Sequence, residues 1–253
     1  MVSLTNKGLL SWIKCGCKRF LFPGLDLHTR YRYRFLPKFF RSGLIDTLDT
    51  GSGNGYLSYA AYKLGNRVLG IDSNSRLIEG AGEYFNKIGT EQKRLSFETC
   101  NLYDLAKIKG KFDQIICSET LEHIRDDRLV IRYFYDLLRP GGILHLCCPF
   151  AKHPINNLGR VNRPETEGHV RDGYTLESYR LLLEPVGFKI MATAGLGSPL
   201  MIGVAEKLRL LRGKFGDLVA FPFFLLCWPL QIFDYLNPPV PYSLYVQAVK
   251  TAD

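Results

Sequence analysis

The chain has 253 residues, 46% hydrophobic and 13% aromatic, with 33 Lys and Arg against 24 Asp and Glu for a formal charge of +9. That length supports one large α/β domain or two small ones, and the apolar content, with 24 Gly and 13 Pro, excludes a disordered or collagen-like chain. A mean hydropathy of −0.04 argues against a multi-span membrane protein.

Taken in chain order, the first element is a basic arm over residues 1–43. Nine of the cations (Lys7, Lys14, Lys18, Arg19, Arg30, Arg32, Arg34, Lys38 and Arg41) fall within residues 1–41 against the single anion Asp26, a net of +8 that leaves +1 for the other 212 residues. Such an arm favours an anionic partner: a phosphate-bearing substrate, an anionic membrane surface or nucleic acid. A solvated helix face is the competing reading. As a helix, the stretch Leu25 to Leu36 sets Arg30 beside Arg34 and Tyr31 beside Phe35, so one side is expected to grip anions and another to pack on the body. The apolar run Gly8 to Ile13 is too short for a signal-peptide core and has no small-residue cleavage site after it, so secretion is not expected. Cys15 and Cys17 lack further ligands at zinc spacing. The seven cysteines form no C-x-x-C pair, and those in apolar runs read as buried reduced thiols of a cytosolic protein.

From residue 44 short β-rich runs alternate with amphipathic stretches, the pattern of βαβ units and a parallel sheet. Strands are predicted at Ile45 to Thr50, Arg67 to Ile71, Leu95 to Thr99, Phe112 to Cys117, Ile143 to Cys148, Phe188 to Ala194 and Ser243 to Val249, with helices near 55–64, 75–88, 126–138 and 175–185. Gly65-Asn66, Pro140-Gly141-Gly142 and Gly187 supply the stops, and Thr175 is a candidate helix cap. Two stretches break the rhythm: a polar loop at 149–174 and an insertion at 195–242, both long enough to suggest function. Within the insertion, Leu218 to Leu230 is apolar throughout, yet too short and too proline-broken for a spanning helix, and Lys207, Arg209, Arg212 and Lys214 precede it. It reads as an interfacial, lipid-binding segment or as a core lid over an acceptor pocket.

Chemistry concentrates at three places. Asp49-Thr50-Gly51-Ser52-Gly53-Asn54-Gly55 lies where a strand ends and a helix begins, so its glycines let backbone approach a ligand beside unpaired N–H donors. A dinucleotide fingerprint would need glycine at 56, where this chain has Tyr56, while Asp72 ends the second strand where it can accept ribose hydroxyls. Ser118-Glu119-Thr120-Leu121-Glu122-His123 follows the fourth strand. There His123 is a candidate base, Glu119, Glu122 and His123 are a candidate divalent-cation set, and a cap on the following helix is the competing reading of Glu122 with His123. In the late loop, His169 and Arg171 are candidates for touching an acceptor, with His153 behind them, or the loop is simply a hydrogen-bonded surface segment.

Over residues 44–194 these motifs, with Phe112 to Glu119 as the fourth strand and Leu137-Leu138-Arg139-Pro140-Gly141-Gly142 before the fifth, resemble the class I S-adenosylmethionine-dependent methyltransferases. The Glu119 to His123 run is similar to the E-x-x-E-H segment of ubiquinone-pathway O-methyltransferases and of glycan- and lipid-pathway relatives. The resemblance implies a Rossmann-like α/β fold with a seven-stranded, mostly parallel sheet, an antiparallel last strand and helices on both faces. It implies S-adenosyl-L-methionine bound by Asp49, Gly51, Ser52, Gly53, Asn54, Gly55, Asp72, Asn101 (or Asp104), Leu102 and Ser118, and chemistry at Glu119, Glu122, His123 and His169. The expected acceptor is a small-molecule, lipid or glycan-precursor hydroxyl, anionic in character, met by a cytoplasmic and peripherally membrane-bound enzyme. An RNA acceptor or a non-catalytic donor-binding role are the alternatives, and the neutral body speaks against nucleic acid.

Overall fold

The computed structural model describes residues 22–160 and 163–251. The predicted signals at Gly8 to Ile13 and at Cys15 and Cys17 lie outside those residues. A helix α1 (Leu27–Phe35) precedes β1 (Asp46–Thr50), α2 (Tyr56–Lys63), β2 (Arg67–Asp72), α3 (Ser75–Lys87), β3 (Leu95–Thr99), β4 (Phe112–Ser118), α4 (Asp127–Leu137) and β5 (Leu138–Pro149). Then follow α5 (Leu176–Leu183), β6 (Phe188–Leu196), α6 (Pro199–Cys227) and β7 (Ser243–Lys250). The seven strands form one sheet in the order β3-β2-β1-β4-β5-β7-β6. β7 runs antiparallel to both neighbours and the other pairings are parallel, as expected from the resemblance.

Both sheet faces are covered, which is why the central strands read as continuous apolar runs. On one face α4 and α5 place Val130, Ile131, Phe134, Tyr179 and Leu182 against Leu48, Ile115, Leu144 and Val246. On the other, Tyr31 and Phe35 of α1, Leu57 and Ala61 of α2 and Phe85 of α3 pack on Val68, Ile116 and Tyr245. Cys117, Cys147 and Cys148 are buried free thiols in these layers, as the composition suggested. Strand order reverses between β1 and β4, and a crevice for a ligand opens there at the carboxyl ends of the strands.

Three elements differ from the sequence reading. The chain passes from α4 straight into β5, and Pro140-Gly141-Gly142 forms a bulge where the register against β4 jumps from Phe112↔Leu138 to Gln114↔Ile143. In α1 the expected anion-gripping side is corrected: Arg30 and Arg32 are buried, Arg30 stacking on Phe224 and Trp228 at 4.8 and 4.7 Å and Arg32 pairing with Glu119. The 195–242 insertion is a helical hairpin rather than a loop. Gly216 (φ 82°, ψ 174°) interrupts α6, so its second arm folds back and sets Ala220 and Phe224 against Met201, Ala205 and Leu208, with Leu27 of α1 completing the cluster. The apolar run stays helical through Pro222 because the carbonyl that proline leaves without a donor belongs to Leu218, which is 89% exposed.

Candidate active site

β1 delivers the chain into the glycine turn at the crevice. Gly51 has φ 66°, and a Cβ there would lie 2.2 Å from Thr120 Oγ1, so only glycine allows the β1 and β4 loops to close on each other. Gly55 starts α2 at φ 75° with Phe85 and Phe97 2.7 Å from any Cβ, which fixes the helix against β3. The Gly53 N–H donates to Asp72 Oδ2 at 3.0 Å and the Asn74 N–H donates to Oδ1 at 2.9 Å, so the turn and the end of β2 hold one carboxylate in place. Gly51, Asp72, Asn101 and Leu102 line one part of a cleft of about 300 Å³, and Glu119, Thr120 and His123 line the other.

Asp49, Ser52 and Ser118 sit behind this lining, Asn54 turns away from it, and Asn101 within it also caps a turn. Asp49 is buried and accepts from Ser58 Oγ at 2.6 Å; burial pushes its carboxyl up to about 7 against that hydrogen bond. Asn54 turns away and donates to Pro23 O at 3.2 Å, fastening the segment before α1. Asn101 caps the turn Leu102–Lys107 by accepting from the Tyr103 N–H at 2.9 Å. The hydroxyls of Ser52 and Ser118 are buried without a hydrogen-bond partner among the described residues, two orphaned polar atoms beside the cleft's glycine and β4 walls. Unsatisfied hydroxyls, a doubly anchored acidic strand end and a turn stripped of side chains fit a nucleoside-bearing ligand with a polar tail.

Opposite, Glu119 is held at φ 53°, a left-handed conformation rare for a residue with a side chain and a mark of strain kept by its surroundings. Its Oε2 lies 3.3 Å from Arg32 Nη1, and its Oε1 accepts from Ser243 Oγ at 3.1 Å, the same hydroxyl lying 2.9 Å from Tyr31 OH. Burial opposes the charge of Arg32, but Glu119 and Tyr56 outweigh it and keep the guanidinium above its usual value.

Glu122 is fully buried in a turn, Leu121–His123, and neither carboxyl oxygen has a hydrogen-bond partner among the described residues. Burial and then Glu119 push it up to about 8. Its Oε1 lies 3.9 Å from His123 Nε2 and 4.0 Å from His169 Nε2, and the two imidazoles meet edge to face at 4.5 Å. Burial, then His123, lowers His169 to about 4. One ligand atom from each of the three residues falls within 4.8 Å of the others, a set that draws on His169 instead of the predicted Glu119. The helix-capping reading of Glu122 and His123 fails, since α4 is capped by Asp126, which accepts from the Leu129 N–H at 3.0 Å. Arg171 is likewise a latch: it pairs with Asp127 and donates to Ile124 O at 2.7 Å and Arg125 O at 2.9 Å. His153 accepts from the Ile155 N–H at 3.3 Å and packs on Tyr242, outside the cleft lining.

Sequence reasoning missed Arg32, Thr120 and Ser243. Leu27, Tyr31 and Phe35 recur every four residues as the buried stripe of α1, and Arg32 stands one position off it. That stripe is the signal that would have turned Arg32 inward.

The family model described as "Methyltransferase domain" matches residues 42–170. The mitochondrial ubiquinone biosynthesis O-methyltransferase of Mus musculus is 29% identical over 157 residues, 59% of this chain and 42% of that protein. The ubiquinone biosynthesis O-methyltransferase of Coxiella burnetii is 35% identical over 97 residues, 38% of this chain and 40% of its own. The chain thus spans less than half the length of these curated relatives. Among solved structures, phosphoethanolamine N-methyltransferase 2 of Haemonchus contortus in complex with S-adenosyl-L-methionine superposes with a TM-score of 0.59 at 18% identity, covering 98% of this chain and 58% of that one. An S-adenosylmethionine-dependent methyltransferase of Mesorhizobium loti gives 0.59 at 18% identity over 88% of this chain and 99% of its own. Both share the fold.

Proposed function

This chain belongs to the methyltransferase domain family, and on that premise we propose that it moves a methyl group from S-adenosylmethionine to a hydroxyl of a small-molecule, lipid or glycan-precursor acceptor. The observation that carries the reading is the cleft at the β1/β4 reversal, with Asp72 and Asn101 on one wall and Glu119 and His123 on the other. When bound, S-adenosylmethionine supplies an electrophilic methyl carbon. Asp72, already oriented by two backbone N–H groups, would accept ribose hydroxyls, Asn101 and Leu102 would flank the base, and the 51–55 turn with Ser118 would receive the amino-acid end. His123 borders the cleft beside Thr120, where its imidazole nitrogen can take the acceptor's proton as the methyl group is transferred. Glu122 is fully buried and does not line the cleft, so it backs the two imidazoles and does not meet the acceptor itself. The relatives named as O-methyltransferases support oxygen as the nucleophile.

A second reading adds a divalent ion held by Glu122, His123 and His169, favoured by the convergence of their donor atoms and by a carboxyl group buried with no hydrogen-bond donor among the described residues, which a cation would satisfy. Ligand atoms around such an ion stand closer than 3.9 to 4.0 Å, so the cluster would tighten on binding.

Incubation with methyl-labelled donor and a cell extract tests the proposal: label is expected in the lipid or soluble fraction, and label in a nuclease-sensitive fraction overturns the acceptor class. Asp72→Ala is expected to weaken donor binding about tenfold or more by titration calorimetry, a loss of about 1.4 kcal/mol. His123→Ala is expected to abolish transfer with donor binding intact. Loss of turnover in chelator, restored by a divalent ion, assigns the cluster to a metal.

A further inference from the structure

By length and composition the stretch Pro199–Phe233 is apolar enough to cross a membrane, and only 11% of its most apolar window is buried. A helix belonging to a protein core would be mostly buried. The second arm bears no charge from 218 to 233, and Leu218, Leu226 and Ile232 are 89%, 75% and 70% exposed. An exposed apolar face of this extent marks an interaction surface.

The two ends of the excursion decide what kind. Leu196 of β6 pairs directly with Ser243 of β7, the Ser198 N–H donates to Asp234 Oδ1 at 3.0 Å, and the Gly195 N–H donates to Asn237 Oδ1 at 2.8 Å. Entry and exit therefore lie together at one sheet edge, and the chain turns back at Gly216. A segment clamped in this way enters and leaves on the same side and does not cross a bilayer in a single pass.

We propose that the α6 hairpin is a one-sided docking element for an anionic bilayer, its second arm lying in the interface with the apolar face toward the acyl chains. The charge pattern supplies the choice of occupant. Lys207 and Lys214 are exposed on the first arm, and Arg34 and Lys38 are exposed at the end of α1. Between α1 and the second arm runs a groove of about 560 Å³ lined by Arg30, Tyr33, Arg34, Trp228, Pro229 and Ile232. The exposed guanidinium of Arg34 and the indole of Trp228, in the same groove as the exposed Ile232, suit a lipid phosphate at the headgroup level with its chains beneath. A second copy placed on the same face would bring the same cations together, and a neutral partner would leave them unmatched. The hairpin also touches the site: Leu27 of α1 packs in its core, and Arg32 of the same helix reaches Glu119. A bilayer under the hairpin would lie one helix away from the cleft, which suits an amphiphilic acceptor. The docking surface itself does not depend on the methyl-transfer reading.

The full chain is to be sedimented with phosphatidylcholine vesicles prepared with and without phosphatidylglycerol. Partition is expected to be about tenfold stronger with the anionic lipid. Leu226→Asp with Ile232→Asp, both exposed and so compatible with the fold, is expected to abolish binding to both vesicles while the circular dichroism spectrum and donor affinity stay unchanged. Arg34→Glu is expected to reduce the anionic preference about tenfold. The proposal is overturned if the parent chain binds neither vesicle or if binding survives the double substitution. It is also overturned if light scattering shows a dimer that the double substitution dissociates, which would assign the face to a second copy. None of these outcomes depends on turnover, so failure here leaves the methyltransferase reading separately testable.

Discussion

The cleft at the β1/β4 reversal and the α6 hairpin are built on opposite principles. In the cleft almost every wall comes from a short stretch that orders itself. A glycine turn follows β1, and 19 residues on Asp72 accepts from that turn's own backbone at 3.0 Å. In the hairpin the arms order each other, and what they leave outward is apolar surface with no cover among the described residues. A ligand shared by many enzymes can be held by backbone geometry, whereas a surface or acceptor peculiar to one enzyme is met by side chains on an appended element. Helix α1 belongs to both regions, with Leu27 in the hairpin core and Arg32 on Glu119.

That division can be broken at its joint. Arg32→Ala leaves Glu119 without its cation and is expected to cost about 3 kcal/mol in urea denaturation, with part of the loss recovered in the Arg32→Ala, Glu119→Gln double variant. Simple additivity of the two substitutions would show that the pair is not coupled. A smaller effect is expected inside the cleft. The Glu122 carboxyl holds its proton to about 8 when folded but releases it near its ordinary 4.5 when unfolded, so stability falls as pH rises between those values. In chelated protein, Glu122→Gln is expected to be more stable than the parent at pH 8 by on the order of 1 kcal/mol, because the amide removes the ionisation but still needs partners of its own. The gap should close toward pH 5. Equal pH profiles would place a further hydrogen-bond donor on Glu122. Smallest of all, Leu218→Ser at the hairpin tip is expected to change stability by less than about 0.5 kcal/mol, since the side chain packs on little within the chain. A larger loss would mean that the outward face is covered by the protein itself.

The sheet and the glycine-turn half of the candidate site were legible because their signals are local. Alternating apolar runs mark the strands, the Asp49 to Gly55 turn marks the switch point, and Asp72 follows at a fixed distance along the chain. The other half was not, for physical reasons that differ by residue. Ser243 meets Glu119 across 124 residues, a contact that sheet pairing creates and that no window reveals. Arg30 and Arg32 looked like surface cations because charge normally avoids burial; stacking on Phe224 and Trp228 shelters the first and Glu119 neutralises the second. The hairpin was obscured by Pro222 and Pro229, which argue against a helix locally, while Gly216 supplied the reversal that gives the apolar run a partner arm. The Glu119 to His123 segment was singled out as one set, but the sequence could not tell that Glu119 turns toward α1 while Glu122 and His123 converge with His169.

The pairing of Leu196 with Ser243 has a consequence for how such a chain can diversify. The sheet closes beneath the excursion, so the length of what lies between those two residues barely enters the cost of forming β6 and β7; doubling a loop adds only about 0.6 kcal/mol. Residues 197–242 therefore occupy an interchangeable slot. A cassette of another length grafted there would leave the register of the sheet intact, provided that it still covered Leu27 and Arg30 of α1.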